Sequence, residues 1–167
     1  GKLKDDFDLI SKYNKTWDLR PDVISYSDIF LKVLKDNNIK DIIKDITLKD
    51  MSLFHVQVRI VKDENSYMSW HRDTYYKHDG TLIGQAPHAI KIIYYPDFEN
   101  KSFKRLSYLI GSNRIVFPNN QYDNQLFSIL KSKDFHASNN KAVLFDVNGL
   151  HSVVPEQQGE RSIRVIY

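Results

Sequence analysis

The 167-residue sequence contains no cysteine. This excludes disulfides, thiolate metal sites and a cysteine nucleophile, and it leaves the redox compartment unmarked. No run approaches the ~18 apolar residues of a membrane span, and no signal-peptide pattern opens the chain. The expectation is a cytoplasmic protein without a membrane partner. An excess of charge of one sign is also missing. The net charge is +3, and no block of Lys and Arg is dense enough to make a nucleic-acid surface. Glutamate is sparse, with four residues and none beside His71.

What is present describes an ordinary globular protein, 41% hydrophobic and 27% charged. The length suits one domain with a real core and is too short for two. Residues 1–167 are therefore read as a single domain. Residues 1–50 form a helical and irregular N-terminal support, and 51–167 form a β core.

Residues 1–22 are polar and irregular, with Tyr13, Trp17 and Leu19 as anchors onto the main body. From Ser27, which can cap, Ile29, Phe30, Val33 and Leu34 fall on one helical face. Asn37-Asn38 breaks this helix. A second short one follows, with Ile39, Ile42, Ile43 and Ile46 on the face expected to brace a sheet. After Lys49 the period changes to two: Phe54, Val56, Val58 and Ile60 alternate with more polar residues, as in a half-buried strand. Asp63-Glu64-Asn65 turns the chain into a strand carrying His71 and Asp73.

Residues 75–88 read as a long polar loop, a position where lids and substrate-contacting surfaces occur. Strands are expected over 88–95 and 105–110, then a turn at Gly111–Arg114, a helix over 123–131 and a loop over 135–140. Three strand-like segments close the chain at 142–147, 151–154 and 161–167, the first two joined by the turn signal Asn148-Gly149. Helices at the front followed by many short strands predict a mainly β fold with flanking helices (α+β). The expected core is an antiparallel double-sheet jelly roll of the cupin-like kind.

Within that plan, Ser69-Trp70-His71-Arg72-Asp73 is the stretch that carries chemistry. On a strand, side chains two apart share a face, so His71 and Asp73 present an imidazole and a carboxylate together. His151, after Asn148-Gly149-Leu150, is the distant residue able to complete a set of two His and one carboxylate. On one face of an iron, that set leaves the opposite positions open, as in non-haem Fe(II) oxygenases. His55, His78, His88 and His136 have no spacing that points to a ligand role.

These residues also resemble a known family. Trp70-His71-Arg72-Asp73-Thr74-Tyr75-Tyr76, Ile110-Gly111-Ser112-Asn113-Arg114 and Gly149-Leu150-His151-Ser152, with Arg161-Ser162-Ile163 beyond, are similar in order to three motifs of the phytanoyl-CoA dioxygenase-like proteins. These are Fe(II)/2-oxoglutarate-dependent dioxygenases with a double-stranded β-helix core, and the resemblance covers residues 53 to 167. Two departures stand out. The middle motif usually ends Gly-Ser-His, where this chain has Asn113. The placement of Arg161 ten residues after His151 is closer to prolyl-hydroxylase-like members.

The resemblance implies Fe(II) held by His71, Asp73 and His151, with 2-oxoglutarate and O2 as co-substrates. It also implies hydroxylation of an unactivated C–H of a small molecule, with release of succinate and CO2. Arg161 is expected to grip the distal carboxylate of 2-oxoglutarate through two parallel hydrogen bonds. Arg164 competes from the opposite strand face. Lys91, Tyr94 and Thr74 are secondary contacts for the co-substrate, and Tyr75, Tyr76, Asn113 and Arg114 are candidates for the substrate pocket. Trp70, on the face opposite His71, is expected to pack. The alternatives are a peptide or protein hydroxylase of the prolyl type, and a cupin-like barrel that binds a metal or small molecule without oxygenase activity.

Overall fold

Helix, strand and turn follow the local chemistry closely in the N-terminal third. The computed structural model describes residues 18–20, 23–25, 27–36, 38–49, 52–53, 56–61, 68–76, 82–84, 89–95, 103–115, 122–137, 141–153 and 162–166. Helix α1 spans Ile29–Asp36, and its first N–H is met by the Ser27 hydroxyl at 3.4 Å. Asn38 takes a left-handed conformation (φ 52°), which breaks the helix where the Asn pair stands. Helix α2 then spans Ile39–Thr47. Among the described residues its apolar stripe is not buried against a sheet: Ile39 and Ile43 are half-buried, and Ile42 and Ile46 are exposed. Ahead of α1, a 3-10 turn at Val23–Ser25 is tied to the β core by the Val23 N–H, which donates to the Val56 carbonyl at 3.1 Å. Val23 and Phe30 are fully buried.

The strands are β1 (Asp18–Arg20), β2 (Gln57–Val61), β3 (Met68–His71), β4 (Thr74–Tyr76), β5 (Leu82–Gly84), β6 (Ile90–Tyr95), β7 (Phe103–Leu109), β8 (Ser132–Ala137), β9 (Lys141–Asp146), β10 (His151–Val153) and β11 (Ser162–Ile166). A single helical turn, α3, lies at Asp123–Leu126. Five strands form one sheet in the order β1-β2-β11-β6-β9, and four form another in the order β3-β10-β7-β8. Strands β4 and β5 pair separately. Every pairing among the described residues is antiparallel. The expectation of a mainly β, antiparallel fold with a few helices therefore holds.

Three expectations are corrected. The stretch 75–88, read as loop, contains part of β4 and all of β5, with Thr74 opposite Gly84 and Tyr76 opposite Leu82. Residues 135–140, also read as loop, overlap β8, which pairs with β7 from Phe103↔Ala137 to Leu109↔Ser132. The helix expected over 123–131 is one turn long. At the front of the chain, Leu19 lies in β1 opposite Arg59, while Tyr13 and Trp17 lie outside the described residues, as does the turn at 63–65.

One buried cluster joins the two large sheets. Ile93, Tyr95 and Phe145 come from the five-stranded sheet, and Leu106, Tyr108 and Val153 from the four-stranded one. Full burial of such side chains is worth about 1.5–3 kcal/mol each. This packing fixes the distance between the sheets and hence what can meet between them. A second cluster of Leu109, Leu126 and Leu150 packs α3 against the four-stranded sheet, with Trp70 against it. Trp70 meets the Phe127 ring edge-on at 5.0 Å, the packing role its strand face predicts. No helix among the described residues is long and apolar enough to cross a membrane.

Candidate metal centre

His71 is the last residue of β3, and His151 is the first of β10. The two strands are neighbours, and His71 and His151 stand directly opposite each other. This cross-strand pairing brings together residues 80 positions apart in sequence, with ring centroids 4.3 Å apart. Asp73 is not on β3, as the shared-face argument assumed. It sits in the bend just beyond, where its N–H donates to the Val147 carbonyl at 3.2 Å. The carboxylate still reaches both imidazoles. Oδ1 lies 3.7 Å from the His71 Nε2, and Oδ2 lies 3.5 Å from the His151 Nε2. One donor atom from each residue falls within 4.8 Å of the others.

The far side of each ring decides which nitrogen is available. His71 Nδ1 lies 2.7 Å from the Ser69 carbonyl, and His151 Nδ1 lies 2.9 Å from the Gly149 carbonyl. A carbonyl only accepts, so each Nδ1 carries the hydrogen and each Nε2 is left to present a lone pair. Backbone carbonyls that orient imidazoles in this way are the usual outer support of a metal site. Burial lowers the His151 pKa to about 4. The nearby Asp73 carboxylate opposes this shift, and His71 reinforces it. His151 is therefore neutral at pH 7, as a ligand must be. The Phe145 ring lies 4.8 Å from the His151 ring, tilted at 56° to it.

Lys91, on β6, crosses from the five-stranded sheet to pair with Asp73 Oδ2. It shares its sheet face with Ile93 and Tyr95 of the core. Tyr94, three positions on, lies on the opposite face, so β6 does not bring it to the triad with Lys91. Asn113 turns its amide to Asp146 Oδ2 at 3.2 Å, and Arg114 is exposed. Thr74, Tyr75 and Tyr76 form β4. Arg161 lies outside the described residues. Arg164 is in β11 opposite Arg59.

Four residues escaped the sequence reading. Arg72 is fully buried between the two proposed ligands, and Asp123 accepts its Nε and Nη2. Ser112, also fully buried, donates from Oγ to the Leu109 carbonyl at 2.6 Å and accepts the Leu150 N–H at 2.8 Å. Tyr108 pairs with His151 from the other side, and burial raises its phenol pKa, with Asp146 adding to the shift. Tyr108 lies in a segment read as strand, and Arg72 and Ser112 lie in the quoted motifs, where no role was assigned to them.

No protein-family model matches the sequence, and no curated protein matches it. Solved structures do. HygX from Streptomyces hygroscopicus, with nickel and 2-oxoglutarate bound, superposes with a TM-score of 0.71 at 12% identity, covering 99% of this chain and 75% of that one. The non-haem epimerase SnoN, in complex with Fe3+, alpha-ketoglutarate and nogalamycin RO, gives 0.73 at 12% identity over 99% and 71%. The chain has their fold. HygX has also been solved with nickel, 2-oxoglutarate and hygromycin B, and that structure gives 0.61 at 14% identity over 91% and 68%. At such identity the likeness concerns architecture, and the chemistry must be argued from this chain's own residues.

Proposed function

We propose that this chain is an Fe(II)- and 2-oxoglutarate-dependent oxygenase that hydroxylates a C–H of a small molecule. In this reading the 167 residues are one domain, and the two facing sheets are a double-stranded β-helix. The observation that carries it is the meeting of two imidazole Nε2 atoms and one carboxylate on paired strand ends, with both Nδ1 atoms committed to carbonyls.

The donor set fits the metal. Two neutral imidazoles and one carboxylate suit Fe(II) and leave three positions for a bidentate 2-oxo acid and dioxygen. The two Asp73 oxygens lie 3.7 and 3.5 Å from the His71 and His151 Nε2 atoms, and one donor atom from each residue lies within 4.8 Å of the others, so the three would close on a single ion. When bound, the iron supplies oxidative decarboxylation of 2-oxoglutarate to succinate and CO2, coupled to oxidation of the substrate C–H.

The chain's own residues hold and orient. A cation is needed for the distal carboxylate of 2-oxoglutarate, and Arg161 is assigned that role for its planar fork of donors, with Arg164 as the competitor. Lys91, already beside Asp73, is assigned to the end of the co-substrate that faces the metal. His71, Asp73 and Lys91 are each 11–15% exposed, which limits water around the centre. HygX and SnoN are both described bound to small molecules, and this supports a small-molecule substrate.

The test is anaerobic titration of the metal-free protein with Fe(II) and then 2-oxoglutarate. A weak visible charge-transfer band is expected, followed in air by succinate formation. Both should disappear in His71→Ala and Asp73→Ala. Turnover that survives either change would refute the assignment. Arg161→Ala should weaken 2-oxoglutarate binding much more than Arg164→Ala; the reverse result transfers the role to Arg164.

A further inference from the structure

We propose that Arg72 is a positioning residue for this metal centre, clamping the turn that delivers His151 onto the strand end that delivers His71 and Asp73. The inference rests on the triad reading above. Arg72 has no exposed surface, and its guanidinium spends its N–H groups on four residues from three chain segments. Nε and Nη2 grip the Asp123 carboxylate at 2.9–3.1 Å. Nη1 donates to the Ser112 carbonyl at 2.8 Å and to the Asn148 carbonyl. Nη2 also donates to the Ile115 carbonyl at 2.7 Å.

Asn148 is three residues before His151, and Arg72 stands between the other two ligands. The turn is therefore held from two adjacent positions, by the Arg72 side chain at Asn148 and by the Asp73 N–H at Val147. Ser112, itself gripped at its carbonyl by Arg72, then accepts the Leu150 N–H. A fork of planar donors can reach several carbonyls at once, which an ammonium cannot. A buried ion pair is weak evidence for stability in itself, since apolar pairs of similar volume replace it at little cost. What an apolar pair cannot replace is the simultaneous hold on Ser112, Ile115 and Asn148.

The experiment measures Co(II) binding to metal-free protein, by affinity and by the visible d–d spectrum, in wild type, Arg72→Lys and the double variant Arg72→Met/Asp123→Leu. The double variant leaves no charge unpaired and is the second route if Arg72→Lys fails to fold. Asp123→Asn, which leaves the hold on the Ser112 and Asn148 carbonyls in place, is the comparison. We expect Co(II) binding to weaken by about 10- to 100-fold in whichever Arg72 variants fold, with an altered d–d spectrum. Asp123→Asn should lower Tm but change Co(II) affinity by less than about threefold, well below the Arg72 effect. Unchanged Co(II) affinity in a folded Arg72 variant, or a loss no larger than in Asp123→Asn, overturns the role of Arg72 and leaves the triad standing. Wild-type Co(II) binding indifferent to His71→Ala overturns the triad reading, and this inference with it.

Discussion

Acidifying the metal-free protein should cost it about 3 kcal/mol of stability through His151 alone. The side chain is 3% exposed, and burial holds its pKa down to about 4, against 6.5 for an ordinary histidine. Asp73 pulls that value upward, His71 lowers it, the hydrogen bond to Gly149 raises it and Lys91 lowers it; the net direction is down. The folded state thus binds the proton less tightly than the unfolded state. As pH falls below 6.5 the unfolded chain takes up the proton first, and stability declines until about pH 4, where the folded state takes it up too. Each unit of difference is worth about 1.4 kcal/mol, so the loss is about 2 kcal/mol by pH 5 and about 3 kcal/mol by pH 4. A domain of this size has about 5–15 kcal/mol in total, so the effect is large enough to measure. The assay is urea unfolding of chelator-treated protein at pH 7, 6, 5 and 4, for wild type and His151→Gln. Subtracting the two profiles removes the carboxylates, which titrate in both. Wild type should lose about 2 kcal/mol more than the variant between pH 7 and 5. Parallel profiles would show that the imidazole is not held neutral by burial, and the argument for a lone pair ready at Nε2 would fail.

Three further changes probe the surroundings of the triad. A Cβ at Gly149 would overlap the buried Tyr108 ring, so Gly149→Ala should cost about 1–3 kcal/mol in thermal or urea unfolding. Adding Tyr108→Leu should recover part of that loss, and no recovery would mean the clash is not the cause. Ser112→Ala strands the Leu150 N–H and the second contact at Leu109 in a dry site, for about 1–3 kcal/mol by urea unfolding. A loss under about 0.5 kcal/mol would show that both groups find other partners. Lys91→Met removes a competitor for Asp73, so Co(II) alone should bind about tenfold tighter while 2-oxoglutarate binds about tenfold weaker, the scale of one charge-assisted contact. Calorimetry that moves both affinities in the same direction would contradict the assignment of Lys91 to the co-substrate.

The elements legible in the sequence are those whose apolar runs are bounded by turn signals. Strands β6 and β9 pair along their whole length and carry core residues from Ile93 to Phe145, and their short apolar runs announced them. Strand β8 went unread because it is the edge of the four-stranded sheet. Ser132, Lys133, Asp134 and His136 are exposed, and Phe135 alone is half-buried, so nothing alternates. Its strand character comes from β7, which supplies the hydrogen bonds. Helix α2 shows the converse. Its isoleucines repeat every three to four residues, and the pattern was right about the helix, but Ile42 and Ile46 are exposed. Periodicity names the face that could be buried; whether a partner reaches that face is decided elsewhere in the chain.

The site divides along the same line. His71 and Asp73 were readable because they are close in sequence, and His151 because a turn signal preceded it. Their convergence depends on β3 and β10 becoming neighbours, a fact of sheet order that no local pattern encodes. Arg72 was unreadable for a stricter reason. Between two residues facing the site, the intervening position faces away, and a charged residue there reads as solvent-exposed. Here that outer side is covered by the 3-10 turn at Ser112–Arg114 and by α3, so the position is fully buried. The cover exists because Arg72 supplies donors for its carbonyls, and Arg72 tolerates burial because the cover supplies Asp123. Each explains the other only once both are in place. A substitution survey guided by sequence pattern alone would pass over a side chain that touches the supports of both halves of the triad.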